Sequence, residues 1–169
     1  MNEKKEFKIE KTKLLIVEGE DERRFFNRWF IELNIEDLQV LPIGGKTKLP
    51  SELKILKKLP NFSTVQSIGI LSDADDDAAA AFQSVCSALE NNNLDIPQKE
   101  ITKTTGNQSI AVLIFPGNGL PGSLENIFLD SEKNNPVMDC VDNYFECIKE
   151  KQRALPHAIG KAKVHTFLA

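Results

Sequence analysis

Two runs of carboxylates carry the chemistry this sequence could do: Glu18-Gly19-Glu20-Asp21-Glu22 and Asp73-Ala74-Asp75-Asp76-Asp77. Glu18, Glu22, Asp73 and Asp75 are the candidate ligands of a divalent metal. Carboxylates gathered within a few ångströms repel one another, by roughly 4 kcal/mol for a pair about 4 Å apart at an effective dielectric of about 20, and a bound cation relieves that cost. No Cys or His stands beside them at ligand spacing, so hard oxygen donors select Mg²⁺ or Mn²⁺, or Ca²⁺, over zinc. Mg²⁺ commonly takes one or two carboxylates together with waters and substrate phosphates, which makes phosphoryl chemistry the expected use. Acids ahead of a helix also complement the positive end of its dipole, and for either run alone that is the simpler account. The repetition at equivalent places, with Gly19 permitting close backbone approach, favours the metal.

Both runs directly follow apolar segments that must position them. Leu14-Leu15-Ile16-Val17 reads as a strand buried on both faces, and residues 67–71 as another. Phe25, Phe26, Trp29, Phe30 and Leu33 recur at three- and four-residue spacing, which predicts a helix with Trp29 as a core anchor. Residues 38–43 predict a strand ended by Gly44-Gly45, and residues 49–59 a basic surface helix. Ala78, Phe82, Val85 and Leu89 form one stripe of a further helix that runs out at Asn91-Asn92-Asn93. Strand and helix thus alternate, as in a three-layer, Rossmann-like α/β domain with a mainly parallel central sheet flanked by helices. Loops at the carboxyl ends of such strands emerge on one sheet edge, so both acidic runs belong there.

Further along, residues 100–104 and 110–115 around Gly106-Asn107 predict a pair of hairpin strands, which would make the sheet mixed. A glycine- and proline-rich loop over residues 116–122 precedes a short helix to Leu129 with Ser123 as cap. Residues 139–151 and 158–168 carry weaker amphipathic patterns separated by Pro156. The expected organisation is one domain over residues 1–169, with a core at about 13–129 and a helical C-terminal extension at about 136–168.

The 169 residues, 41% of them hydrophobic, suffice to fill one core. A net charge of -4, from 25 acidic against 21 basic residues, excludes a global positive field. Contact with DNA or RNA must therefore be local, through Lys46, Lys48, Lys54, Lys57 and Lys58 or the lysines between 149 and 163. Cys86, Cys140 and Cys147 form no Cys-x-x-Cys pair, which points to core fillers in a reducing, cytoplasmic compartment. His157 and His165 have no companions at ligand spacing and are expected at the surface. Neither a signal peptide nor a membrane span of about 18 apolar residues is legible. Gly45-Lys46-Thr47 has Val40 where a P-loop needs its first glycine, so no ATPase is expected. The same loop, with Gly45 and Lys46, reads either as a phosphate contact beside the acids or as a plain turn with solvated lysines.

Leu14-Leu15-Ile16-Val17-Glu18-Gly19-x-x-Glu22 followed by Ile68-Gly69-Ile70-Leu71-x-Asp73-x-Asp75 resembles the topoisomerase-primase (Toprim) domain. The resemblance covers residues 13–129 and implies a metal site of Glu18, Asp73 and Asp75, with Gly19 shaping the turn. Glu22, four residues after the first glutamate, is similar to the variant in nucleases of the overcoming-lysogenization-defect family. There further acidic and lysine positions complete a two-metal site, for which Glu125 and Lys163 are the candidates here. Gly122-Ser123-Leu124-Glu125 and Lys161-Ala162-Lys163-Val164-His165 also resemble stretches of small stand-alone Toprim-like proteins.

The activity so implied is Mg²⁺- or Mn²⁺-dependent cleavage of a phosphodiester in nucleic acid. Asp73 and Asp75 would anchor one ion, and Glu18 or Glu22 a second; alternatively Glu18 acts as general acid or base. Lys163 would neutralise transition-state charge. The alternative from another class is a non-catalytic, metal-binding regulatory module that works through a separate protein partner. A nucleotide-sugar transferase using Asp73-x-Asp75 ranks lower because it leaves Glu18-Gly19 unexplained. Asp77 stands where a dehalogenase-type phosphatase has Thr or Val, and no Lys follows the 110–115 strand as a receiver domain requires.

Overall fold

The protein is described from a computed structural model, over residues 8–151 and 153–169. Apolar residues at every second position of the strands decide its first unit. Four strands, β1 (Lys13–Val17), β2 (Leu38–Pro42), β3 (Ser67–Asp73) and β4 (Ser109–Phe115), form one parallel sheet in the order β2-β1-β3-β4. Helices α1 (Glu20–Glu32), α2 (Leu49–Leu56) and α3 (Ala78–Glu90) make the three crossovers. The protein is α/β, as the alternation predicts.

On one sheet face Leu14, Ile16, Ile68, Ile70, Ile110, Val112 and Ile114 pack with Leu49, Leu53 and Leu56 of α2 and Val85 and Leu89 of α3 in a single core cluster. The stripe on α2 makes it a core helix with lysines on its outer side, rather than the basic surface helix that its composition predicts. Right-handed crossovers place α1 on the opposite face. There Leu15, Leu71, Leu113 and Phe115 are only half-buried, and Phe26 of α1 stacks on Phe115 with ring centroids 6.2 Å apart.

Helix α1 forms where its spacing predicts, but its aromatic stripe is not a core face. Phe26 is its one buried residue, while Phe25 is 45% and Trp29 48% exposed. Trp29 is thus no core anchor: periodicity reports which residues share a face, and says nothing about whether another element covers it.

The expected hairpin is also absent. Residues 101–104 form no strand, yet Ile101 and Thr104 donate backbone N–H groups to the carbonyls of Val112 (2.8 Å) and Ile110 (3.0 Å). The carboxylate of Glu100 accepts from Ile114 N–H at 3.0 Å, and the Thr104 hydroxyl from Ile110 N–H at 3.0 Å. Four polar groups of the β4 edge are thus bonded by an irregular segment and its side chains, which cover the edge without a fifth strand.

A second compact unit, Gly122–Ala169, holds α4 (Leu124–Glu132), α5 (Pro136–Glu150) and α6 (Ile159–Leu168). Helix α4 therefore groups with the C-terminal helices rather than with the strand-bearing unit. Ser123 N–H donates to Asn126 Oδ1 (2.8 Å) at the start of α4, and the Asn135 side chain accepts from Val137 N–H (3.0 Å) at the start of α5. Met138, Val141 and Phe145 form the core of this unit with Leu129, Ile159 and Phe167. Of the cysteines only Cys86 is a core filler, its thiol pKa pushed up by burial; Cys140 and Cys147 are exposed. Among the described residues no helix is long and apolar enough to cross a membrane.

Candidate metal centre

The chain reverses its direction of winding between β1 and β3. From β1 it passes outward to β2, and from β3 outward to β4, so the carboxyl ends of these two adjacent strands flank the crevice where open α/β sheets hold ligands. Glu18 directly follows β1, and Asp73 is the last residue of β3, which runs two residues beyond the 67–71 strand that the sequence predicts. The two meet: Glu18 Oε1 accepts from the Asp73 backbone N–H at 3.1 Å and from the Ser72 hydroxyl at 2.8 Å. One carboxylate oxygen of Glu18 is thereby fixed by β3, and the other has no hydrogen-bond partner among the described residues.

Glycine at position 19 leaves room for the Glu22 side chain, the one group that an added Cβ would meet closely and one flexible enough to move aside. A Cβ there would lie 2.9 Å from Glu22 Oε2, so the Glu22 carboxylate folds back over the Gly19 backbone toward the start of α1. Arg23 N–H donates to the Gly19 carbonyl at 3.2 Å, closing the first helical turn.

After β3 the Ala74 N–H is held by the Phe115 carbonyl (2.8 Å), and Asp75 turns the chain through a left-handed conformation with φ 50°, which Asp tolerates better than most residues. Asp77 then caps α3, its side chain accepting from Ala80 N–H at 2.9 Å. Asp75 pairs with Lys46, whose loop leaves β2 at Gly44-Gly45. A pocket of about 20 Å³, lined in part by Glu18, Lys46, Ser72 and Ser84, opens beside these groups, room for one water or small ion.

These residues were read together from the sequence, and the first unit brings Glu18, Gly19, Glu22, Asp73, Asp75, Gly45 and Lys46 to one sheet edge. Glu125 and Lys163 lie in the second unit, where the Lys163 ammonium donates to Asp142 Oδ1 at 2.6 Å. The basic face of α2 is smaller than its composition suggests: Lys57 donates to the Asn92 carbonyl beyond the end of α3, which leaves Lys54 and Lys58 exposed. One contributor, Ser72, is absent from the sequence analysis, and one contact, Lys46 with Asp75, is not visible there. Ser72 is buried and orients Glu18; its only signal is a hydroxyl on the inward side of an otherwise apolar strand. The sequence marks Lys46 as a loop lysine but not its partner, because loop-to-loop pairing leaves no periodicity.

The donors are all oxygens, as a hard cation demands. Among the described residues no group of three or more His, Cys, Asp and Glu side chains is placed so that it could hold a metal ion. The arrangement fits a cation that keeps several waters and takes one or two carboxylates, the habit of Mg²⁺.

Fold and edge together define an α/β protein with an acidic switch point between its two central strands. The chain belongs to a family described as a protein of unknown function (DUF3226), which matches residues 12–169. No curated protein and no solved structure matches it.

Proposed function

We propose that this chain is a divalent-metal-dependent, Toprim-type enzyme that cleaves a phosphodiester in nucleic acid. The reading is supported above all by the hydrogen bond between Glu18 Oε1 and Asp73 N–H across the switch point. It ties the residue after β1 to the first residue of the Asp73-x-Asp75 pair at the edge where open parallel sheets carry ligands. Of Glu18, Asp73 and Asp75, one or two would ligate Mg²⁺ or Mn²⁺ directly and the rest, with Glu22, through its waters. The ion would supply Lewis-acid polarisation of the phosphoryl oxygen and lower the pKa of a bound water. The protein's own part is orientation: Ser72 and the Asp73 N–H fix one Glu18 oxygen and leave the other to the ion or to a proton. Exposed Lys54 and Lys58 would contact the phosphate backbone locally.

A second reading, a metal-binding regulatory module working through a protein partner, is favoured by the Lys46–Asp75 pair, which already neutralises one carboxylate. Cleavage assays decide between them. Wild type should cut single- or double-stranded DNA or RNA in Mg²⁺ or Mn²⁺, with EDTA abolishing the activity and Glu18→Gln or Asp73→Asn lowering it at least about a hundredfold. Activity unchanged in both variants would rule out this site. Cation binding without cleavage of any substrate would favour the module.

A further inference from the structure

Lys46 sits where a second positive charge would be wanted. Its ammonium pairs with the Asp75 carboxylate, and both side chains remain open to water, at 42% and 58% exposure. The loop that delivers it is built for the position. Gly44 and Gly45 both donate N–H groups to the Glu18 carbonyl, at 2.8 and 2.9 Å. They do so at φ 76° and 115°, where only glycine is at ease. The lysine is thus anchored to the backbone of the very residue whose side chain is tied to Asp73. Lys48 adds a second ammonium over the same turn, 3.2 Å from where a Gly44 Cβ would stand.

From this geometry we infer that Lys46 is a resident counter-cation of Asp75, which an incoming divalent metal displaces and which then meets the phosphate accompanying that metal. The inference rests on the metal-dependent reading above and adds an order to it: cation first, phosphate second. Exposed lysine–carboxylate pairs are weak, so the exchange is open to a divalent ion. The freed ammonium stays on its glycine-anchored loop beside the ion, where it supplies a point charge for a phosphate oxygen. A lysine that merely decorated the surface would not need a loop fixed twice to Glu18.

The test is a calorimetric Mn²⁺ titration of wild type, Lys46→Met, Asp75→Asn and the double variant, followed by binding of a short oligothymidylate to the Mn²⁺-loaded proteins. Lys46→Met should bind Mn²⁺ about threefold more tightly, because the competing charge is gone. The same substitution should change nothing in the Asp75→Asn background, and Lys46→Arg should return the wild-type affinity. The Mn²⁺-loaded Lys46→Met protein should bind the oligonucleotide more weakly than Mn²⁺-loaded wild type. Equal or weaker Mn²⁺ affinity in Lys46→Met, or the same gain with Asp75 absent, would overturn the exchange while leaving the metal site standing. Wild type that binds no Mn²⁺ would instead overturn the metal-dependent reading and this inference with it.

Discussion

Asp75 and Asp77 stand two residues apart in one acidic run and have different roles. Asp75 turns the chain after β3 and pairs with Lys46; Asp77 accepts from Ala80 N–H and caps α3. A cap is worth about 1 kcal/mol and involves no cation. Asp77→Ala should therefore lower stability in urea unfolding by about 1 kcal/mol and leave Mn²⁺ affinity unchanged. Loss of Mn²⁺ binding in this variant would make Asp77 a ligand. At this scale the sequence was legible in residue type and obscure in role. Five successive positions from Asp73 to Asp77 hold four carboxylates, and only the backbone course separates the strand end, the turn and the cap. Ser72 was obscure for the opposite reason, since one hydroxyl amid Ile70, Leu71 and Asp73 leaves no pattern.

Among the elements, β1 to β4 lie where the apolar runs place them, but β1 and β3, expected to be buried on both faces, bury mainly alternate residues on one. The helix that follows β1 lies where its spacing predicts, but its aromatic stripe is mostly exposed. A buried aromatic replaced by Ala costs about 3–5 kcal/mol, whereas Trp29, 48% exposed, should lose under about 1 kcal/mol on Trp29→Ala. Trp29 is the single tryptophan, so its fluorescence isolates this face; native protein should be quenched readily by acrylamide. A loss of several kcal/mol with a shielded, blue-shifted emission would mean that Trp29 is covered. The segment 101–104 escaped for a related reason. It bonds to β4 through backbone N–H groups and through Glu100 and Thr104 side chains, and side-chain pairing of this kind has no repeat to detect.

For the molecule as a whole, the order β2-β1-β3-β4 is what turns two acidic segments, more than fifty residues apart in sequence, into neighbours. The α/β class and the shared edge followed from alternation and from the placement of the runs after apolar strands. The pairing of β1 with β3 did not, because no local signal states which strands are adjacent. The grouping of α4 with α5 and α6 was equally hidden: its apolar stripe fits either unit. A net charge of -4 leaves no global positive field, so the proposed attraction of phosphate would fall to the ion and a few lysines.

The central claim is that Glu18 and Asp73 hold a divalent cation between β1 and β3, and a calorimetric titration of metal-stripped protein with Mn²⁺ tests it most directly. Wild type should bind Mn²⁺ saturably, with Mg²⁺ competing, and both Glu18→Gln and Asp73→Asn should weaken that binding by roughly tenfold or more while retaining the wild-type circular dichroism spectrum. Mn²⁺ affinity that is absent in wild type, or the same in wild type and in both folded variants, would contradict the account.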